Sequence, residues 1–534
     1  MRVLCAFPEA MASSSSRPPS CLVLVALFLA LLLHLSLSFH AGNRRPLPVD
    51  RATGLKEKTL ILLDVSTKNP VRTVNENFLS LQLDPSIIHD GWLDFLSSKR
   101  LVTLARGLSP AFLRFGGKRT DFLQFQNLRN PAKSRGGPGP DYYLKNYEDD
   151  IVRSDVALDK QKGCKIAQHP DIMLELQREK AAQMHLVLLK EQYSNTYSNL
   201  ILTEPNNYRS IRGRAVNGSQ LGKDYIQLKS LLQPIRIYSR ASLYGPNIGR
   251  PRKNVIALLD GFMKVAGSTV DAVTWQHCYI DGRVAKVMDF LKTRLLDTLS
   301  DQIRKIQKVV NTYTPGKKIW LEGVVTTSAG GTNNLSDSYA AGFLWLNTLG
   351  MLANQGIDVV IRHSFFDHGY NHLVDQNFNP LPDYWLSLLY KRLIGPKVLA
   401  VHVAGLQRKP RPGRVIRDKL RIYAHCTNHH NHNYVRGSIT LFIINLHRSR
   451  KKIKLAGTLR DKLVHQYLLQ PYGQEGLKSK SVQLNGQPLV MVDDGTLPEL
   501  KPRPLRAGRT LVIPPVTMGF YVVKNVNALA CRYR

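Results

Sequence analysis

The feature that most restricts the fold of this chain is an alternation of short apolar runs with helical patterns. Each run has the length and the uninterrupted apolar character of a parallel strand that is buried on both faces. The runs cover residues 78–83, 111–115, 241–244, 270–275, 318–323 and 358–366. Helical patterns lie between many of them, as over 289–310 and 339–355. This order predicts an α/β fold, a (β/α)8 TIM barrel over residues 77–395.

The pattern changes after residue 396 to short strands that are separated by turns. These runs cover residues 420–424, 438–445, 481–484 and 510–523. Such spacing is typical of a β-sandwich, which we place at 396–534, and we expect residues 58–76 to add an N-terminal strand to it. The charged segment 127–180, with Pro and Gly near its start, is predicted to be a surface excursion from the barrel.

An apolar run over residues 21–39 indicates export. It follows Arg17 and precedes small residues, so we interpret residues 1–41 as a secretory signal peptide and 42–57 as a linker. The run also approaches the length of a membrane span, which leaves an uncleaved signal anchor as the alternative. The expected location is the extracellular matrix or the cell surface, where the sequons at Asn217 and Asn334 are candidate glycosylation sites.

The charge of the chain predicts an anionic partner. The 534 residues include 74 basic and 39 acidic side chains, a formal net charge of +35. Attraction of this size favours a polyanion and weakens as salt rises. Nucleic acid, anionic membrane and sulfated glycan fit the charge, but export disfavours nucleic acid. Contact with membrane is expected only through an uncleaved anchor or through cell-surface proteoglycans.

Four cysteines follow the leader: Cys164, Cys278, Cys426 and Cys531. Cys426 and Cys531 both lie in the sandwich region and are the preferred disulfide, while a bridge between Cys164 and Cys278 stays open because spacing does not fix connectivity. The histidine-rich run 425–432 does not have the spacing of a tetrahedral zinc site. The sequence therefore predicts no metal and no cofactor.

Two glutamates have the setting of a glycosidase pair. A retaining glycosidase needs two carboxyl groups about 5 Å apart, one as acid and one as nucleophile. Glu204-Pro205-Asn206 has the form of an acid/base strand end, and the run 317–322 has that of a nucleophile strand. Each glutamate taken alone is also compatible with an ordinary strand-end residue.

Five segments closely resemble heparanase, the endo-β-glucuronidase that cuts heparan sulfate: residues 104–117, 217–222, 335–343, 381–389 and 478–486. The resemblance runs from about residue 60 to 531. It implies a TIM barrel that carries the two catalytic carboxylates, with an appended sandwich.

The chain departs from this family at the nucleophile. Family members have Trp-Leu-Gly-Glu, whereas this chain has Trp320-Leu321-Glu322-Gly323 with the last two residues exchanged. Gly323 thus occupies the nucleophile position and has no side chain with which to attack. Because side chains alternate along a strand, Glu322 is expected to point to the opposite face. This arrangement predicts loss of the covalent route.

A second departure lies before the acid. The strands that the family has ahead of Glu204 are missing, so about two βα units are absent, as in a shortened splice form. An incomplete barrel leaves strand edges unpaired, and destabilisation is expected. The same gap removes the residue with which the family pairs Cys164.

The resemblance also implies a ligand-binding set. Its members are Asp84, Asn206, Arg250, Arg252, Lys253, Arg283, Gly330 and Gly331. Lys118 stands where the family has a small hydroxylic residue and is expected to add a ligand-binding cation near the same cleft. Asn371 stands where the family has a tyrosine. Two further basic tracts, 408–421 and 447–454, lie in the sandwich region, and closely spaced arginines suit sulfate and carboxylate groups. Any one of these cations is also compatible with an ordinary solvated surface charge.

These features predict a secreted, heparanase-like pseudoenzyme that binds heparan sulfate and heparin, including proteoglycans, without cleaving them, and that competes with active heparanase. One alternative is an active retaining endo-β-glucuronidase in which a backbone bulge re-aims Glu322. Another is a misfolded splice product without function.

Overall fold

The computed structural model describes residues 60–84, 97–116, 185–187, 216–234, 241–366, 369–404 and 419–532. Several predictions fall outside these ranges: the signal segment, the linker, the surface excursion, Lys118, Cys164, Glu204, Asn206 and most of the tract 408–421. The described residues lie within the unit Leu60–Arg534.

The strands in chain order are β1 Ile61–Val65, β2 Arg72–Thr73, β3 Leu79–Leu83, β4 Phe112–Phe115, β5 His185–Val187, β6 Tyr244–Ile248, β7 Ala272–Ile280, β8 Lys318–Thr327, β9 Val359–His363, β10 Ile394–Leu399, β11 Val401–Ala404, β12 Leu420–Thr427, β13 Ile439–Asn445, β14 Lys451–Leu455, β15 Val464–Pro471, β16 Val482–Leu484, β17 Gln487–Pro488, β18 Arg503–Leu505, β19 Leu511–Ile513 and β20 Thr517–Val523. The α-helices are α1 Lys99–Gly107, α2 Gly218–Leu232, α3 Lys253–Ala266, α4 Thr293–Tyr313, α5 Ala341–Asn354 and α6 Pro382–Leu393.

In the described part of the chain, seven parallel strands form the barrel sheet, in the order β5-β4-β3-β9-β8-β7-β6. Strands β3 and β9 are buried along their whole length, as expected for strands covered on both faces. Within the described ranges, β5 and β6 are the edges of this sheet. The predicted α/β class is confirmed, and the described part of the barrel is an open sheet of seven strands.

Helices cover the outer face of this sheet. Helix α4 buries Leu296, Leu299, Ile303, Ile306 and Val310, the spacing of one helical face. Helix α5 is instead buried on all sides, because it lies between the barrel and the sandwich. At Gly350 of α5 an added Cβ would lie 2.5 Å from the ring of Tyr423, so only glycine permits this close approach.

Two mainly antiparallel sheets form the sandwich. One has the order β17-β16-β15-β20-β13-β12-β10-β2, with β18 beside β15, and the other has the order β11-β1-β14-β19. Their facing apolar side chains, among them Leu63, Leu441, Ile453 and Tyr521, form a core of their own. Strand β1 lies between β11 and β14, so the start of the described chain is part of this second sheet.

A disulfide joins Cys426 of β12 to Cys531 near the carboxyl end, which is the pair preferred from the sequence. It ties the last turn of the chain to the sandwich. Cys278 of β7 is half-buried and lies outside this disulfide. Among the residues with described structure, no helix combines the length and the apolar character that crossing a bilayer requires.

Candidate functional site

Aromatic rings fill the inner face of the barrel sheet near the beginning of its strands. Trp320 stacks on Tyr244 with 4.2 Å between ring centroids and on Phe112 with 5.2 Å. Phe112 and Trp320 belong to strands that are three positions apart in the sheet order. Their contact therefore shows that the sheet curves and that these rings point into the barrel.

A buried polar cluster follows on the same inner face, toward the carboxyl ends of the strands. Arg114 Nε lies 3.4 Å from Glu322 Oε1, and Arg114 Nη1 donates to Gln82 Oε1 at 2.7 Å. Gln82 Nε2 in turn donates to the carbonyl of Gly116 at 2.5 Å. Glu322 and Arg114 are 6% and 5% exposed, so their opposite charges meet largely without water. The guanidinium thus gives the Glu322 carboxylate a buried counter-ion.

The prediction that Glu322 points to the opposite face is wrong. Glu322 is two residues after Trp320 and shares its inward face. A β-bulge follows at Gly323, where the pairing register of β8 shifts against both β7 and β9. Gly323 has φ +86, and an added Cβ there would lie 3.5 Å from Arg114 Nη1 and 3.6 Å from Gln82 Oε1. Residues 322 and 323 therefore both face the polar cluster, and the carboxylate belongs to residue 322.

Replacement of Gly323 by alanine should lower stability by about 1–2 kcal/mol, the cost of a left-handed backbone conformation for a residue with a Cβ. The surrounding space is not crowded at the Cβ position. Chemical denaturation measures the change. Gly316→Ala is the matched control, since Gly316 has φ +80 and nothing within 4 Å of an added Cβ. A much larger loss at Gly323 than at Gly316 would show that crowding, not backbone conformation, requires glycine in the bulge.

A second acidic residue lies at the carboxyl end of β3. Asp84 Oδ2 is 3.7 Å from His363 Nε2 of β9, and both residues are buried. Asp84 thus lies at the carboxyl end of the barrel strands, where TIM barrels place their active sites. Glu204, the predicted acid, and the predicted ligand residues Lys118 and Asn206 lie outside the described residues, so the structure gives no distance between Glu204 and Glu322.

The loop after β8 holds the two predicted glycines. Gly330 and Gly331 have φ +70 and +92, and an added Cβ at Gly331 would lie 3.0 Å from Asn371 Nδ2. Asn371 is buried and donates from Nδ2 to the carbonyl of Thr327 at 2.9 Å. The asparagine that replaces the family's tyrosine therefore has a structural role, as it fixes this loop to the end of β8.

Several cations lie at the same end of the barrel, beyond the carboxyl ends of its strands. Arg250, Arg252 and Lys253 follow β6 directly, and all three are exposed at the beginning of α3. Arg283 is also exposed, but its guanidinium lies 2.7 Å from Asp281 Oδ2 and lowers the pKa of that carboxyl through its hydrogen bonds. The first three cations are thus better placed than Arg283 to receive an anionic ligand.

His277, near the carboxyl end of β7, does not face the barrel interior. It is 2% exposed on the outer face of β7, and its Nδ1 lies 3.0 Å from Gln302 Oε1 of α4. Burial lowers its pKa to about 3.

Sequence reasoning missed Gln82 and Arg114 as members of the polar cluster. Their alternation with apolar residues along β3 and β4 was the available signal.

The remaining predicted sites lie on the surface or in the sandwich. Asn217 and Asn334 are both exposed, and Asn217 Oδ1 also caps α2 by accepting from the amide of Gln220 at 3.1 Å. In the histidine-rich run, His425 is buried against the carbonyl of Gly395, and Cys426 is in the disulfide. The described ranges contain no cluster of three or more residues that could hold a metal.

A barrel with an appended sandwich and an acidic residue at a strand end is the architecture of a class of glycoside hydrolases. The solved structure of a 4-O-α-L-rhamnosyl-β-D-glucuronidase from Fusarium oxysporum matches this fold with a TM-score of 0.56, at 12% identity, over 86% of this chain and 100% of that chain. A scan against protein-family models gave no match.

Sequence relatives define the family. The chain is 40% identical over 528 residues to the heparanase of Mus musculus, covering 88% of this chain and 94% of the relative. It is 89% identical over 592 residues to inactive heparanase-2 of Mus musculus, covering 100% of both chains. The chain therefore belongs to the heparanase family.

The alignment with the mouse inactive heparanase-2 also shows that this chain is shorter. It extends over 592 positions, 58 more than the 534 residues of this chain. A βα unit of a TIM barrel takes about 30 residues, so the difference matches the length of about two units.

Proposed function

We propose that this chain is a secreted pseudoenzyme of the heparanase family that binds heparan sulfate and heparin without cleaving them. The observation that carries the proposal is the glycine at the nucleophile position, Gly323, beside a carboxylate that is held in an ion pair. Gly323 has no side chain with which to attack, and the Glu322 carboxylate beside it is engaged by the Arg114 guanidinium in the barrel interior. The relatives that share 89% and 87% identity with this chain carry the name inactive heparanase-2.

Binding to a sulfated glycan needs distributed cations and not one pair of carboxylates. The net charge of +35 and the exposed Arg250, Arg252 and Lys253 at the open edge of the barrel support such binding. The basic tract 447–454 adds exposed cations on the sandwich. Binding to proteoglycans of the matrix or cell surface would let the protein compete with active heparanase for the same chains. The apolar segment 21–39 supports export.

A triple replacement tests the glycan site. Arg250→Gln/Arg252→Gln/Lys253→Gln should elute from a heparin column at lower salt, and the slope of log affinity against log salt should fall by roughly one for each lost contact. The matched control is Lys264→Gln/Lys305→Gln/Lys308→Gln, which removes three exposed cations from α3 and α4 and changes net charge equally. Equal losses in both variants would indicate charge attraction without a site at the barrel edge.

Cleavage is tested on the same samples with size-defined heparan sulfate. We expect retention on heparin and no shortening of the chains. Shortening that Glu204→Gln abolishes would overturn the proposal.

An active retaining glycosidase is the second candidate, and the bulge at Gly323 is the observation that favours it, because it accompanies a carboxylate on the inner face. A mechanism-based glycosidase inhibitor should then label Glu322. Absence of an adduct on a protein that still binds heparin would reject this candidate, and failure to melt cooperatively would instead indicate a misfolded splice product.

A further inference from the structure

A small cavity lies at the end of the barrel opposite to the polar cluster. Its volume is about 50 Å³, and it is lined by Phe78 at the beginning of β3, Pro110 before β4, Tyr390 and Lys391 of α6, and residues 428–430 of the sandwich. It therefore lies where the barrel meets the sandwich, and it is separate from the glycan site proposed above.

Lys391 brings a buried cation to this cavity. The residue is 8% exposed, and its ammonium group donates to the carbonyl of Pro110. It forms no ion pair with a carboxylate in the part of the chain that the structure describes. Burial alone lowers its pKa, to about 7, without an opposing acidic group. Of its three N–H donors, one has a protein acceptor, and a buried ammonium in this state favours an anion beside it.

Tyr390 adds a second donor without a partner. Its hydroxyl is buried and has no hydrogen-bond partner among the described residues, and the residue is 4% exposed. Its ring is held by Phe78 and Phe442, at centroid distances of 6.3 and 5.8 Å, so the phenol position is fixed by packing. A buried hydroxyl without a partner is unfavourable, and this one belongs to a residue that lines the cavity next to Lys391.

The other polar groups of the lining do not neutralise the lysine. Asn428 Nδ2 donates to the carbonyl of Lys391 at 2.7 Å, and the rings of His429 and His430 contact each other at a tilt of 41°, with 3.8 Å between centroids. Glu76 also contributes to the lining, but its side chain is exposed and makes no ion pair with Lys391. This volume holds a few water molecules. It is too small for a sugar ring and sufficient for one small anion with water.

We propose that this cavity binds a halide-sized inorganic anion, held by the Lys391 ammonium and the Tyr390 hydroxyl. The anion would join α6 of the barrel to the sandwich loop and stabilise their contact. The proposal does not depend on glycan binding or on the absence of catalysis.

The test is thermal unfolding of the full chain at constant ionic strength, with sodium chloride or bromide exchanged for sodium gluconate, whose anion exceeds the cavity. We expect a saturable rise in Tm of roughly 2 °C in either halide. Lys391→Met should abolish the rise. Lys317→Met is the matched control, because Lys317 also donates from a partly buried Nζ to a carbonyl, that of Val270 at 2.7 Å, and should keep it.

Tyr390→Phe is the second variant, because it removes an atom that makes no hydrogen bond and should fold even if Lys391→Met does not. The halide concentration at half-effect should rise several-fold in this variant. A rise in Tm that is equal in gluconate, or a halide effect that is unchanged in Tyr390→Phe and Lys391→Met, would overturn the proposal. Bromide located by anomalous scattering between the two side chains would support it directly.

Discussion

Replacement of Asp383 by asparagine should destabilise the folded protein by about 3–5 kcal/mol, because it leaves a buried guanidinium without its counter-ion. Arg362 of β9 points outward from the barrel and is 0% exposed, with Nη2 2.9 Å from Asp383 Oδ2. Its guanidinium also lies 5.1 Å from the Trp345 ring centroid and donates to the carbonyl of Asn371 at 3.1 Å. An amide keeps the shape of the aspartate and loses the charge.

The raised pKa of Asp383 indicates that burial of its charge is costly. Burial raises the pKa of Asp383 to about 6, and the Arg362 guanidinium opposes that rise. The carboxylate is therefore ionised at pH 7, where the variant should be measured.

Chemical denaturation of the wild type and Asp383→Asn measures this loss. Asp301→Asn is the matched control, since Asp301 pairs with Arg304 on the exposed surface of α4, where such pairs contribute little. A double replacement, Arg362→Met/Asp383→Leu, should recover most of the stability, because it removes both charges together. Similar small losses in Asp383→Asn and Asp301→Asn would contradict a buried uncompensated charge.

Acid should destabilise the fold between pH 6.5 and 4.5 through two buried histidines. Burial lowers the pKa of His277 to about 3 and that of His425 to about 4, from an ordinary value of 6.5. The unfolded chain therefore takes up protons below pH 6.5 that the folded chain does not. The stabilisation is complete above pH 6.5 and decreases as pH falls toward the folded pKa values, by about 1.4 kcal/mol per pH unit for each histidine. Together they cost about 5 kcal/mol at pH 4.5.

The slope of unfolding free energy against pH isolates this effect. His277→Gln and His425→Gln should each flatten the slope, whatever they do to stability at pH 7. His402→Gln is the matched surface control, because His402 is exposed and its Nε2 lies 2.9 Å from the Ser66 hydroxyl. Asp383 takes up a proton below about pH 6 and opposes the loss, so the comparison must use differences between variants. If neither replacement changed the slope, His277 and His425 would take up protons in the folded chain over the same pH range as in the unfolded chain. Cleavage assays at mildly acidic pH therefore need a parallel measure of folding.

The strands of the barrel were predictable because burial on both faces leaves a continuous apolar run. Strand β9 and the beginning of β8 lie where the sequence placed them. The structure departs from the predicted strands where proline lies in or beside them. Residues 510–523 form two strands, β19 and β20, separated by Pro514 and Pro515. Strand β6 begins at Tyr244, near the end of the predicted run, and continues through Gly245 and Pro246.

Alternation could not predict that Glu322 and Gly323 lie on the same side of β8. A bulge adds one residue to the strand and so shifts the alternation of side chains. The sequence signal of a bulge is a single glycine, which many regular strands also contain. The pairing of Glu322 with Arg114 joins strands that are more than 200 residues apart in the chain, and it depends on the curvature of the sheet. The cavity at Lys391 depends likewise on the meeting of two domains.

The position of β1 has a consequence for biosynthesis. Its hydrogen-bonding neighbours, β11 and β14, are made more than 330 residues later. A nascent chain thus cannot pair both sides of β1 until residue 455 has left the ribosome. Until then the apolar side chains of Ile61, Leu63 and Val65 lack their packing neighbours, a state in which chains are prone to aggregate. Chaperone dependence during synthesis should therefore be high. A cut in the polypeptide between β1 and β11 would leave both pieces held together by the sheet.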